Sequence, residues 1–325
     1  MSQRAVLDWL LQESQPSVRY LTLTRLQHLS EKDPEVRDAR REISNHGWAA
    51  DIMAKRSPEG WWDNGSSHYT PRWTATTWVM LVLSDLGLTR EDRAIEESCE
   101  RWMRMRPVMK TKNMTMHSDE PGTNVPGSLH LCFTGSVVRA LIRFGYADDS
   151  RVRRALDWMV SVADPRGGWS HFQKGRSLDC WEPLSALAAL PREKRTASMQ
   201  RSAELGAEYY LDRELHRQGD RYEPWYRFHY PVHYYYDILV GMEMVTSLGF
   251  GDDPRLKFAL SLLKEKRRPD GKWGIDRPQP DADFDVEAYY RAHPKDRPKP
   301  FMLEAVGVPS KMITLRALDV LENVD

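Results

Sequence analysis

Cys132, Cys180 and His233 are the residues of this sequence whose types and spacing point most directly to chemistry, being separated by 48 and 53 residues. Two thiolates and an imidazole, with Asp179 or water as a fourth ligand, match the donor set of a zinc ion that keeps one position open. Such an ion would activate a thiol or a water by lowering its pKa, which makes Asp179, Cys180 and His233 the catalytic candidates. His130 and His229 are alternative imidazole donors. The same residues also read as packing, since free cysteines are commonly buried and inert. A second group, Arg19, Arg72 and Lys311, offers charge-assisted hydrogen bonds to a diphosphate or another anion, or else caps nearby carboxylates. A third is aromatic: Tyr69, Trp73, Trp78, Trp181, Tyr230, Tyr234, Tyr235 and Tyr236. Such rings bind a long apolar chain by area and a carbocation by their quadrupoles, or simply fill a core.

The elements that must position these residues are helices. Thr77 to Leu86, Val137 to Phe144, Ile238 to Leu248 and Ile313 to Leu321 place apolar residues at spacings of three and four, and no convincing alternating strand appears. Several of these stretches end in a similar phrase: SDLGLTREDR (84–93), IRFGYADDSRVRRAL (142–156) and TSLGFGDDPRLKFAL (246–260). Each predicts a helix, a glycine cap, a turn and a new helix starting at Asp-Ser or Asp-Pro. A second phrase recurs as SPEGWWDN (57–64), DPRGGWSHF (164–172) and RPDGKWGI (268–275), with Trp61, Trp169 and Trp273 at equivalent places. These Gly-Trp turns fasten one layer of helices to the next.

The underlying unit is roughly 50 residues, one αα-hairpin plus a loop. Candidate first helices start near Val18, Trp73, Cys132, Cys180, His233 and Lys311, and each but the last is followed by a more polar partner. The expectation is an all-α protein, an (α/α)6 toroid formed as a single domain over 1–325, with an N-terminal helix 3–11 pairing with the C-terminal helix 311–322. The free N–H groups at the inner-helix tips would favour anions. Closing the ring sets Lys311, Arg19 and Arg72 on one arc and Cys132, Cys180 and His233 on the other.

Composition narrows the function. Lys plus Arg and Asp plus Glu are both 47, so the formal net charge is zero, which argues against a nucleic-acid partner held by a general basic field. The longest apolar run, Trp78 to Leu83, is too short to span a bilayer, and Met1 to Gln12 lacks the layout of a signal peptide. Three cysteines at wide spacing are the usage of a reducing compartment. A cytoplasmic location is expected. The Met-rich, polar stretch from Pro107 to Ser128 reads as a surface excursion.

The Gly-Trp turns and αα-hairpins, from SVRYLTLTRL (17–26) to PSKMITLRALDVL (309–321), resemble the squalene cyclase and protein prenyltransferase β-subunit superfamily of terpenoid-cyclase-type toroids. CFTGSVVRALIRFGY (132–146) with DDSRVRRALDWMV (148–160) is similar to bacterial and archaeal single-toroid prenyltransferase or squalene-oxidase repeat proteins. The resemblance implies an isoprenoid-handling enzyme with an apolar chain in a central aromatic cavity. Arg19, Arg72 and Lys311 would hold a diphosphate, Trp73, Trp181 and Tyr234 would line the chain, and Cys132, Cys180 and His233 would hold zinc. Two departures stand out. The string nearest to the cyclase acid motif is DADFD, with Asp281, Asp283 and Asp285 in a Pro-rich loop, and there is no magnesium-binding Asp-Asp-x-x-Asp. Two alternatives remain open: a non-catalytic toroid that binds a lipid or protein, and an α/α-toroid carbohydrate enzyme using Asp179, Glu182 and Asp237.

Overall fold

The computed structural model describes residues 3–63, 68–69, 72–104, 106–110, 113–117, 131–170, 176–217, 222–233, 235–277, 291–292, 294 and 301–324. His130, Tyr234, Asp281, Asp283 and Asp285 lie outside the described residues. The chain is helical: α1 Gln3–Leu10, α2 Pro16–Arg25, α3 Pro34–Glu42, α4 Gly47–Met53, α5 Thr76–Asp85, α6 Arg93–Trp102, α7 Leu131–Leu141, α8 Ser150–Ser161, α9 Glu182–Ala189, α10 Ala197–Leu211, α11 Ile238–Ser247, α12 Lys257–Glu265 and α13 Lys311–Glu322. The expectation of no strand fails at one place. Strands β1 Arg106–Lys110 and β2 Asn113–His117 pair antiparallel, with Met109 opposite Met114. Alternation is hard to read in strands of five residues, which is why periodicity missed them. Among the described residues no helix is long and apolar enough to cross a membrane.

Two kinds of helix alternate. In α5 every residue from Thr76 to Ser84 is buried, and α7 and α11 are buried on nearly all sides; such helices belong to the interior. By contrast, α3, α6, α8 and α12 bury one stripe only, for example Val152, Ala155, Leu156 and Met159 in α8. The interior helices follow one another in space as in sequence: α5 packs on α7, α7 on α9, α9 on α11 and α11 on α13, and α13 returns to α2. Arg25 of α2 and Asp319 of α13 form an ion pair across that return. Tyr20 of α2 also lies against Gly87 at the end of α5, where a Cβ would come within 2.9 Å of the ring.

The repeated phrases become repeated joints. Gly87, Gly145 and Gly249 all have φ between 84° and 93°, the left-handed geometry that ends a helix. Asp149 and Asp253 each accept the backbone N–H two residues on, from Arg151 and Arg255. Those arginines then reach back to the preceding outer helix, Arg151 to Glu100 at 2.8 Å and Arg255 to Glu208 at 2.9 Å. The tryptophan joint needs one correction. The indoles of Trp62, Trp169 and Trp273 each donate to the carbonyl ten residues earlier, on Ile52, Met159 and Leu263 at 2.7 to 2.9 Å. Trp62, not Trp61, is therefore the equivalent of the other two. The backbone N–H of Trp62 donates to Thr76 of α5 and that of Trp273 to Thr314 of α13, so these two joints tie an outer helix to the next inner one.

α7 and α9 approach each other closely at Gly135. A Cβ there would sit 2.4 Å from the carbonyl carbon of Glu182 and 2.5 Å from the nitrogen of Pro183. Gly249 has open space around it but a φ of +92°. In urea unfolding, Gly135→Ala is expected to cost about 3 kcal/mol because backbone must move, and Gly249→Ala about 1 kcal/mol from left-handed strain alone. Equal losses in the two variants would contradict this account of the α7–α9 approach.

Candidate functional site

An interior helix begins with N–H groups that have no partner within the helix, and burial makes each of them costly. At three tips a carboxylate takes them. Asp63 accepts from the backbone N–H and the hydroxyl of Thr76, at 3.0 and 2.6 Å, where α5 starts. Asp237 caps α11, accepting from Val240 N at 2.9 Å and His229 N at 3.2 Å. Glu304 accepts from Lys311 N at 2.6 Å, Met312 N at 3.2 Å and the Ser310 hydroxyl at 2.6 Å, at the start of α13. Two of these carboxylates also face an imidazole: His68 Nδ1 lies 3.0 Å from Asp63, and His229 Nδ1 lies 2.8 Å from Asp237. Burial alone would raise the pKa of Asp237; the charge and hydrogen bond of His229, with Arg316 beyond, outweigh it and hold the carboxyl below its ordinary value. The expectation of anion-seeking tips is therefore corrected at α5, α11 and α13, whose N–H groups are already held by carboxylates.

Arg19 and Lys311 turn to separate partners. Arg19 bonds Glu13 and Glu35 at 3.2 and 2.7 Å on the outside of α2. Lys311 turns toward α1, where its ammonium donates to the carbonyl of Trp9 and to Gln12 and sits 5.1 Å from the Trp9 ring. Burial pushes its pKa down to about 8. Arg72 lies over the ring of Trp73. Asp179 is exposed and accepts the indole N–H of Trp225 at 2.9 Å, whereas Glu182 and Asp237 are fully buried, so the three carboxylates are not displayed together.

Nor does the zinc set assemble. His233 is stacked on Trp73, with ring centroids 5.1 Å apart and planes 12° from parallel. Cys132 and Cys180 are buried, and burial, with the Glu182 carboxyl next in effect, pushes both thiols up, away from the thiolate a metal requires. Among the described residues no three His, Cys, Asp or Glu side chains are grouped so as to hold a metal ion. These donors do not fit zinc.

What does come together is aromatic. Trp73 and Trp78 from the start of α5 meet His233 and Tyr235 from the segment before α11, although α7 and α9 lie between them in sequence. Tyr69 continues the cluster to Phe133 of α7, and Phe301 touches His233. The stacked pair Trp73 and His233 is 1% exposed on each side. Both have left-handed backbones, with φ of +73° and +41°. For bulky side chains that costs about 1–3 kcal/mol each and is a mark of functional positions.

A set of buried and half-buried charges was passed over in the sequence, Glu182 alone among them having been named, as a carbohydrate-enzyme carboxylate. Arg316 of α13 forms a two-armed pair with Glu243 of α11 at 2.7 and 2.6 Å, and Arg143 pairs with Asp85. Arg139 of α7 and Glu182 of α9 are 5% and 0% exposed and lack such a pair. The available signal was a charge on an otherwise apolar helix, as in LCFTGSVVRAL.

No family model and no curated protein matches the chain. Solved structures of the type II terpene cyclase MstE from Scytonema are similar at low level. One without ligand is 16% identical, with 88% of this chain and 98% of that chain covered, at a TM-score of 0.30. A variant in complex with merosterolic acid A, its product, is 14% identical, with 99% of each chain covered, at 0.33.

Burial pushes the Glu182 carboxyl well above its ordinary value, and the proximity of its own backbone N–H and the Arg139 charge only partly offset this. Between the unfolded pKa, about 4.3, and the raised folded value, the native state holds one proton more than the unfolded state. Its stability therefore falls as pH rises through that window. Urea unfolding from pH 4.5 upward is expected to show this fall in the wild type relative to Glu182→Gln; parallel curves would mean that Glu182 ionises normally.

Proposed function

We propose that this chain is an isoprenoid-handling α/α toroid of the terpenoid-cyclase type, and that it receives a neutral apolar chain at the aromatic cluster of Trp73, Trp78, His233 and Tyr235. The stacking of Trp73 on His233 carries this reading. Two bulky residues from helix starts that are distant in sequence are held in strained backbones to face one another in the interior. The return of α13 to α2 supports the toroid. Such a ring of inner helices brings the starts of α5 and α11 face to face, as the cluster requires.

The ligand is a chain without a diphosphate. Arg19 and Lys311 are engaged with groups on their own side of the fold, and the N–H groups at three tips are already accepted by carboxylates. A diphosphate would meet negative charge there. The apolar area and ring faces of the cluster suit an isoprenoid tail, whose branched units pack against indole and phenol rings.

Calorimetric titration tests this reading. Geranylgeraniol is expected to bind the wild type saturably, and Trp73→Ala to weaken it at least tenfold, about 1.4 kcal/mol. Geranylgeranyl diphosphate should bind no more tightly than the alcohol. A clear preference for the diphosphate would overturn the neutral-chain assignment, and silence from both ligands would overturn the isoprenoid reading.

A further inference from the structure

Arg139 is the one guanidinium among the buried charges described above that has no carboxylate bonded to it. It lies on the interior helix α7, 4.8 Å above the face of Trp181, which fixes the plane of the group. Its Nε and Nη2 are buried and have no hydrogen-bond partner. Those two nitrogens form one edge of the guanidinium, the edge whose parallel N–H groups grip a carboxylate with two bonds.

Two more buried polar side chains on α7 and α9 are unsatisfied. One turn earlier on α7, Ser136 is 3% exposed and its hydroxyl has no partner. Across the close approach at Gly135, Glu182 is 0% exposed, and neither of its carboxyl oxygens has one. Ser136 and Arg139 are three residues apart and so share a face of the helix. Three buried polar side chains left open on two tightly packed helices are rare in a native interior, and they mark a place that a polar group from elsewhere completes.

Charge decides what kind of group. The other carboxylates whose charge reaches Arg139 are Asp85 and Glu243, and they are bonded to Arg143 and Arg316. Burial lowers the Arg139 pKa only to about 10, so it remains a cation at neutral pH. Burial pushes the Glu182 carboxyl well above its ordinary value, toward the protonated form, and no hydrogen bond joins it to Arg139. A lone buried cation is costly, and the counterion has to be an anion. Its ideal shape is planar with two oxygens on one side for Arg139, the remaining lone pairs taking the Glu182 and Ser136 O–H donors.

We propose that Ser136, Arg139 and Glu182 form a binding site for a carboxylate, which Arg139 holds with two hydrogen bonds while Glu182 and Ser136 donate to it. The carboxylate belongs either to a free small acid or to the head of an apolar acid. The site stands on its own residues and does not depend on the aromatic cluster accepting an isoprenoid.

Equilibrium dialysis of the wild-type protein with labelled acetate and with labelled farnesoic acid, at constant ionic strength, tests the site directly. Saturable binding of either acid, not displaced by sulfate, is the expected result. Acetate binding about as tightly as farnesoic acid identifies a free small acid as the occupant; farnesoic acid alone identifies a lipid head. Arg139→Lys, which keeps the charge but loses the planar edge, should weaken binding at least tenfold, whereas Glu182→Gln, still a donor, should stay within about threefold. Farnesol, which lacks the carboxylate, should compete no better in the wild type than in Arg139→Lys. No saturable binding of either acid overturns the proposal. So does unchanged binding in a folded Arg139→Lys. Marked destabilisation of unliganded Glu182→Gln at neutral pH would also overturn it, because Glu182 would then be the counterion of Arg139. Should Arg139→Lys not fold, the wild-type dialysis and the Glu182→Gln stability still decide.

Discussion

The interior helices begin in places that water does not reach, and everything else at the candidate site follows from how their first N–H groups are satisfied. Asp63, Asp237 and Glu304 accept those hydrogens, so negative charge is built into the end of the structure where helix dipoles would otherwise present positive charge. The imidazoles of His68 and His229 lie against two of the three. With those N–H groups taken, what Trp73, Trp78, His233 and Tyr235 present at these tips is ring faces.

Much of the architecture was legible in the sequence because its joints rest on residues with few substitutes. A left-handed helix end calls for glycine, and Gly87, Gly145 and Gly249 mark three of them. Asp149 and Asp253 announce new helices in the same way. The doublet Trp61-Trp62 was read one residue early, since spacing cannot tell which indole reaches Ile52. The candidate site was less legible. Trp73 and His233 were singled out, yet not as a stacked pair, because a sequence gives the order of helix tips and not the direction of a side chain whose backbone turns left-handed. Arg19 and Lys311 were expected to converge; nearby Glu13, Glu35 and Gln12 claim them first, as exposed or half-buried cations take the closest partner.

Arg139 was missed, and Glu182 was named only as a carbohydrate-enzyme carboxylate, for a different reason. Each is a single charge in a helix that is otherwise apolar, a pattern that composition and periodicity average away. Arg316 and Glu243 show the ordinary solution to the same problem, two charges on neighbouring helices facing each other with two bonds. The α7–α9 pair departs from that solution at the point where its backbones come closest. Gly135 permits an approach that no side chain would allow, and the carboxyl of Glu182 is thereby placed beside α7 without being bonded to it.

The contact of α13 with α2, sealed by Arg25 and Asp319, joins segments almost 300 residues apart. While the chain is being made, α2 therefore leaves the ribosome long before the helix that covers it exists. The flank of α2 that α13 covers stays wet throughout that interval, a natural resting place for a chaperone, until α13 docks.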